Sequence, residues 1–91
     1  MPRFRLSLVK NKKYDVWVPF LNKWISFGDA RYKHYRTSSA IPRPLHVYEE
    51  HGDVARRDAY RRRASKIRDG MGRLTVANKG SANYYSYNYL W

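Results

Sequence analysis

Residues 81–91 read SANYYSYNYLW, with Tyr84, Tyr85, Tyr87, Tyr89 and Trp91 crowded into the last eight positions, and the way this stretch folds decides the architecture of the chain. As a strand it would place Tyr85, Tyr87, Tyr89 and Trp91 on one face, because strand side chains alternate with a period of two. As a helix capped by Ser81 it would place Ala82, Tyr85 and Tyr89 on one stripe with Leu90 beside them. Periodicity alone leaves both open. Aromatic rings combine a large contact area with a polar or π-face handle, so the stretch can serve as core, as a stacking platform for bases or as a protein interface.

Upstream of the tail, residues 53–69, DVARRDAYRRRASKIRD, read as a helix. Asp53 is placed to cap it, alanine and arginine favour it, and Gly70 stands where a helix stop belongs, with Gly72 in the turn that follows. Tyr60, Ala64 and Ile67 form a thin apolar stripe at i, i+4 and i+7. Arg56, Arg57, Arg61, Arg62, Arg63, Lys66 and Arg68 take most other directions, so the helix must meet anions or stay solvated. One Asp58 to Arg62 pair at i, i+4 does not change that balance.

The first part of the chain reads as β-structure. Phe4, Leu6 and Leu8 alternate with Arg3, Arg5 and Ser7, NKKYD reads as a turn, and Tyr14, Val16 and Val18 alternate again until Pro19 closes the run. LNK is a short break, KWISF a third strand, and Gly28-Asp29 its terminating turn. Residues 29–52 lose the period and carry Tyr32, Tyr35 and two prolines, which predicts an ordered loop. The expected fold is therefore a single α+β domain over residues 1–91. It has a three-stranded antiparallel meander at 3–28, a Tyr/Pro loop at 29–52, a basic helix at 53–69 and the aromatic segment at 81–91.

The charge balance points to an anionic partner. Nineteen Lys and Arg against seven Asp and Glu give a formal charge of +12, far beyond what solubility requires. The excess is spread: residues 1–30 hold six cations and two carboxylates, residues 31–52 four and two, residues 53–91 nine and three. No cysteine is present, which removes disulfides and thiolate chemistry together. No apolar run approaches the length of a membrane span and charges interrupt MPRFRLSLVK, so the chain reads as soluble and intracellular.

Catalytic chemistry finds little footing. His34, His46 and His51 are the only imidazoles, and HVYEEH lacks the i, i+4 histidine spacing of a zincin helix. DGMG lacks the strand, loop and helix context of a phosphate loop, and no serine has a credible base. The expectation is a non-enzymatic protein without cofactor, metal or small-molecule substrate. The arginine-rich helix then reads equally as a contact to phosphates or to acidic protein surfaces. For the tyrosines, core or interface is favoured over base stacking, because no ribonucleoprotein-type aromatic motif accompanies them.

The runs ISFGDARYKHY, HGDVARRDAYRRRASKIRDGMGRL and SANYYSYNYLW together resemble a small basic domain found in nucleocytoplasmic large DNA viruses. The resemblance covers roughly residues 3–91 as order and residue type. It rests on Phe27, Gly28, Tyr32, Tyr35, Gly52, Asp53, Tyr60, Arg63, Gly70, Gly72, Ser86, Leu90 and Trp91. It implies a short hairpin ending in Phe-Gly, an Asp-capped basic helix, a glycine turn and a C-terminal helix ending in Leu-Trp. With Ser81 as cap and the shared Leu90-Trp91 ending, the tail then reads as a short packed helix. Structural roles are implied for Gly28, Asp53, Tyr60, Gly70, Gly72 and Trp91, and Tyr84 and Tyr87 fall on the side left for a partner.

The viral setting implies a virion structural protein. The first expectation is a minor capsid, or cement, component bridging capsomers, with the major capsid protein and other minor capsid proteins as partners. Its place would be the capsid shell, reached from the host cytoplasm during assembly. The alternative is a virion protein that holds DNA phosphates without sequence preference through its basic helix.

Overall fold

The period-two alternation of the first 30 residues becomes a meander in the computed structural model, which describes residues 2–91. Strands β1 (Arg3–Leu6), β2 (Lys12–Val18) and β3 (Lys23–Asp29) pair antiparallel in the order β1-β2-β3. The register sets Phe4 opposite Val16, Val16 opposite Ile25 and Tyr14 opposite Phe27, which gathers the apolar side chains onto one face. The other face carries Arg3, Trp17 and Trp24 in one row and Arg5, Asp15 and Ser26 in the next.

Two strand ends differ from the sequence expectation. Leu8 lies beyond β1 in the turn and is 78% exposed. The chain leaves the ladder there because the Leu8 amide is drawn to the Asp15 carboxylate, 3.3 Å away. At the other end, Gly28 stands inside β3 instead of terminating it. Its φ is +79°, and a Cβ at this position would lie 2.9 Å from Leu90 Cδ1. Only glycine combines this backbone conformation with so close an approach.

The tail is a helix, α2 (Ala82–Tyr89), and Ser81 caps it by accepting from the Asn83 amide at 3.2 Å. It packs on the apolar face of the sheet through Tyr85 and Leu90, which join Tyr14, Val16, Val18, Ile25, Phe27 and Ile41 in the core. The Gly28 amide donates to Ser86 Oγ at 3.2 Å and ties α2 to β3. At the far end of α2 the carbonyls of Tyr89 and Leu90 accept from the amides of Ser38 and Arg36. Helix-end carbonyls that would otherwise lack partners are thereby satisfied.

Residues 30–53 form the ordered connection. A 3₁₀ turn at Arg43–Leu45 presents the Leu45 carbonyl to the Tyr14 hydroxyl at 2.7 Å, and His34 bridges Glu50 in a single parallel pair. Helix α1 (Val54–Ala64) then begins on Asp53, whose carboxylate accepts from the amides of Ala55 and Arg56.

Helix α1 ends at Ala64, short of the Asp69 that composition suggests. Past Ala64 the backbone finds other partners. The Ile67 carbonyl accepts from both the amide and the hydroxyl of Thr75, and the Asp69 carboxylate accepts from the amides of Met71 and Arg73. Such local side-chain bonds compete with helix propagation. The apolar stripe breaks with the helix: Ala64 is buried, whereas Ile67 is 47% exposed. Among the described residues, no helix is long and apolar enough to cross a membrane.

Candidate cationic interface

Helix α1 has almost no apolar face of its own, so other groups must hold it. Tyr60 stacks on Trp91 with 4.3 Å between ring centroids and 11° between planes. Asn83 of α2 accepts from the Tyr60 hydroxyl and donates to the Ala64 carbonyl at 3.1 Å and to Thr75 Oγ1 at 2.8 Å. Arg61 grips the Trp91 carbonyl oxygen with Nε and Nη2 at 3.1 and 2.9 Å. One of the arginines expected to face a partner is thus a brace within the fold.

The remaining cations of this region divide by how they are engaged. Arg57 contacts the Asp58 carboxylate at 3.2 Å and lies 5.0 Å from the Tyr35 ring centroid. Arg56 is exposed, with only a long 3.7 Å contact to Asp53. Arg62, Arg63 and Lys66 are exposed and make no salt bridge among the described residues. Arg68 lies past the helix end and donates to the Gly72 carbonyl at 2.7 Å. Gly72 takes a φ of +80° in that turn, while a Cβ at Gly70 would meet nothing.

The two tyrosines assigned to the open side of α2 are half-buried. Tyr84 stands edge-on to Tyr85 at 4.9 Å and packs against the core, and the Arg61 guanidinium sits 4.8 Å from the Tyr87 ring centroid. Of the tail's rings only Tyr85 is buried; Tyr84, Tyr87, Tyr89 and Trp91 each make contacts within the fold and keep part of their surface exposed.

Beside α1 opens a cleft of about 850 Å³. One wall is the end of β2 and β3 with the loop behind it, carrying Lys12, Arg31 and Lys33; the facing wall is α1, carrying Arg56 and Arg63. Phe27, Leu90, Trp91, Tyr60 and Ile67 supply its apolar lining. Asp29 is the one carboxylate of the lining, and Arg31 holds it with two bonds of 3.0 and 2.9 Å. Those bonds keep the Asp29 carboxyl low, at about 2.

Behind this cleft lies an internal polar chain. Lys13, only 2% exposed, places Nζ 2.6 Å from His34 Nδ1, and His34 Nε2 is 2.7 Å from Thr37 Oγ1. An ammonium can only donate, so Nδ1 accepts and the imidazole is neutral with its proton on Nε2. Burial and then the adjacent Lys13 charge hold His34 down to about 4. Burial lowers Lys13 to about 8, opposed in part by Asp29.

The outer sheet face is a second cationic surface. The Arg5 guanidinium lies 3.9 Å from the Trp24 ring centroid, and Trp17 meets Trp24 edge-on at 5.5 Å. Beneath them Asp15 is buried. Burial alone would raise its carboxyl, but bonds from Ser26, Ser7, Arg5 and the Leu8 amide outweigh it and hold the group below its usual range. Sequence reading centred on the arginine-rich helix passes over Arg3, Arg5, Lys12, Arg31 and Lys33. The Arg3/Arg5 alternation was the available signal for a charged sheet face.

The three histidines do not form a common site: His46 Nε2 is 2.7 Å from the Ile41 carbonyl, away from the His34 chain. Among the described residues, no group of three or more His, Asp or Glu side chains is arranged to hold a metal ion. Comparison with protein-family models, curated proteins and solved structures yields no match to this chain.

Proposed function

We propose that this chain is a non-enzymatic structural protein of a virion, a minor capsid component that bridges capsomers of a large icosahedral DNA virus. The observation that carries the reading is the division of labour on α1. Arg61 is held by the Trp91 carbonyl and Arg57 by Asp58, while Arg56, Arg62 and Arg63 stand exposed on the braced helix, and among the described residues only Arg56 of these three meets a carboxylate, at 3.7 Å. Charge fixed on a rigid element suits an acidic protein surface, since complementary potentials steer and orient docking. The viral setting follows from the resemblance of the Phe-Gly, Asp-capped Tyr/Arg and Leu-Trp segments. Immunoblotting of disrupted virions tests it: the protein is expected with the shell fraction, and recovery with the genome alone contradicts it.

DNA binding is the second reading, favoured by the continuation of exposed cations past α1 through Lys66 and Arg68. Phosphate contacts of this kind weaken steeply with salt. A titration against duplex DNA at two salt concentrations is the test; negligible affinity at low salt, or affinity indifferent to salt, removes this reading.

A further inference from the structure

The cleft beside α1 differs from the outer face of that helix in having two cationic walls around an apolar floor. Lys12, Arg63 and the buried Lys13 along it have no carboxylate within salt-bridge distance among the described residues. The pairs that do exist there, Arg31 with Asp29, Lys33 with Glu49 and Arg56 with Asp53, are between exposed side chains. Pairs of that kind exchange readily with another anion. The wall also holds a donor without an acceptor: His51 Nδ1 accepts from the Asp53 amide at 2.9 Å, which leaves the proton on Nε2, and that atom is buried with no partner. The occupant this lining matches is anionic, rich in acceptors, and apolar on one side.

Size and stacking decide among such occupants. A hollow of about 850 Å³ is too small to take in a DNA duplex. A single strand would need an open aromatic face for its bases. Here Tyr60 and Trp91 already stack on each other, Arg63 lies 5.8 Å from the Tyr60 centroid, and His51 lies 5.1 Å from the Trp91 ring. An extended peptide fits better, since alternate residues point to opposite sides. Carboxylates on one side then meet the cationic walls while apolar side chains on the other lie on the exposed Ile67 and the partly exposed Tyr60 and Trp91, with Phe27 and Leu90 buried beneath.

We infer that the cleft between α1 and the β2–β3 end captures an extended acidic segment of a partner protein in which carboxylates alternate with apolar residues. The inference rests on the structural-protein reading above and names the kind of partner surface involved.

The test uses Trp17→Phe/Trp24→Phe protein, in which Trp91 is the remaining tryptophan and reports on the cleft floor. The probe is a blocked eight-residue peptide alternating aspartate and leucine, with its asparagine counterpart and an eight-nucleotide thymidine strand as comparisons. Saturable change in Trp91 emission with the aspartate peptide is expected, weakened about tenfold or more by asparagine or by Arg56→Glu/Arg63→Glu. Lys79→Glu, which reverses an exposed charge outside both the cleft and helix α1, should change it by less than about threefold. Absence of a saturable Trp91 response, equal loss with Lys79→Glu, or tighter binding of the thymidine strand would each overturn the inference. Shell association in virions is a separate readout: if it persists while the peptide fails, the cleft assignment falls and the capsid reading stands.

Discussion

Tyr60 and Trp91 lie nearly parallel, 4.3 Å apart, and this stack fastens the basic helix to the core. Helix α1 carries a single buried residue, Ala64, so its position depends on the stack, on Asn83 and on the Arg61 grip. Trp91→Ala is expected to destabilise the protein by about 2–3 kcal/mol, less than a fully buried tryptophan would cost because the ring is half-buried. Amide exchange in residues 54–64 should accelerate beyond that of the sheet. An unchanged melting temperature would mean that Trp91 is not structural and would return it to the recognition surface.

Gly28→Ala should cost about 1–3 kcal/mol, from a positive φ and from the 2.9 Å approach of Leu90. Leu90→Ala alone should cost about 3 kcal/mol, since the side chain is 1% exposed in the core. The double variant is expected to be more stable than the sum of the two, because removing Leu90 relieves the closest approach and leaves the backbone strain with the Lys13 contacts at 3.1 and 3.3 Å. Strict additivity in chemical denaturation would show that the two residues are not in contact.

Stability should fall on acidification below the range of an ordinary histidine. His34 is held at about 4 in the fold against 6.5 in the unfolded chain. Between those values the unfolded state binds the extra proton, so stability is full above 6.5 and declines as pH drops toward 4, by on the order of 3 kcal/mol. Lys13 acts with the same sign in a different window: stability rises as pH climbs from about 8 to 10.5. Urea melts of His34→Gln should show a lower starting stability and a flatter acid slope. A slope equal to that of the parent protein would remove His34 as its source.

Asp15→Ala should be costly, about 3 kcal/mol or more, because it leaves the Ser7 and Ser26 hydroxyls and the Arg5 guanidinium without their shared acceptor. The measurement is denaturant unfolding, paired with Trp24 fluorescence, since Arg5 would lose the anchor that holds it over that ring. A change below about 1 kcal/mol would show the cluster to be dispensable.

Much of the fold is written in local pattern. Alternation at Phe4–Leu6 and Tyr14–Val18 marks two strands, Asp53 marks the start of α1, and Ser81 with the Leu90-Trp91 ending marks α2. What local pattern does not carry is partner choice at a distance. Nothing near Ser65 signals that the Ile67 carbonyl prefers Thr75, so the helix end is misplaced. Nothing beside Lys13 signals that it will be buried against His34, 21 residues away. The candidate interface is half legible for the same reason. Composition identifies the arginines of α1, but only tertiary structure separates Arg61, which grips Trp91, from Arg63, which faces the cleft. It is also tertiary packing that brings Lys12 and Lys33 to the opposite wall.

As a shell protein docked through α1 on acidic capsid surface, this domain should be visible in cryo-microscopy of virions that carry it. Ordered density for the sheet and both helices is expected at capsomer contacts, with Arg56, Arg62 and Arg63 facing carboxylates. A fully ordered shell without that density, with the protein found only among the packaged DNA, would contradict that docking.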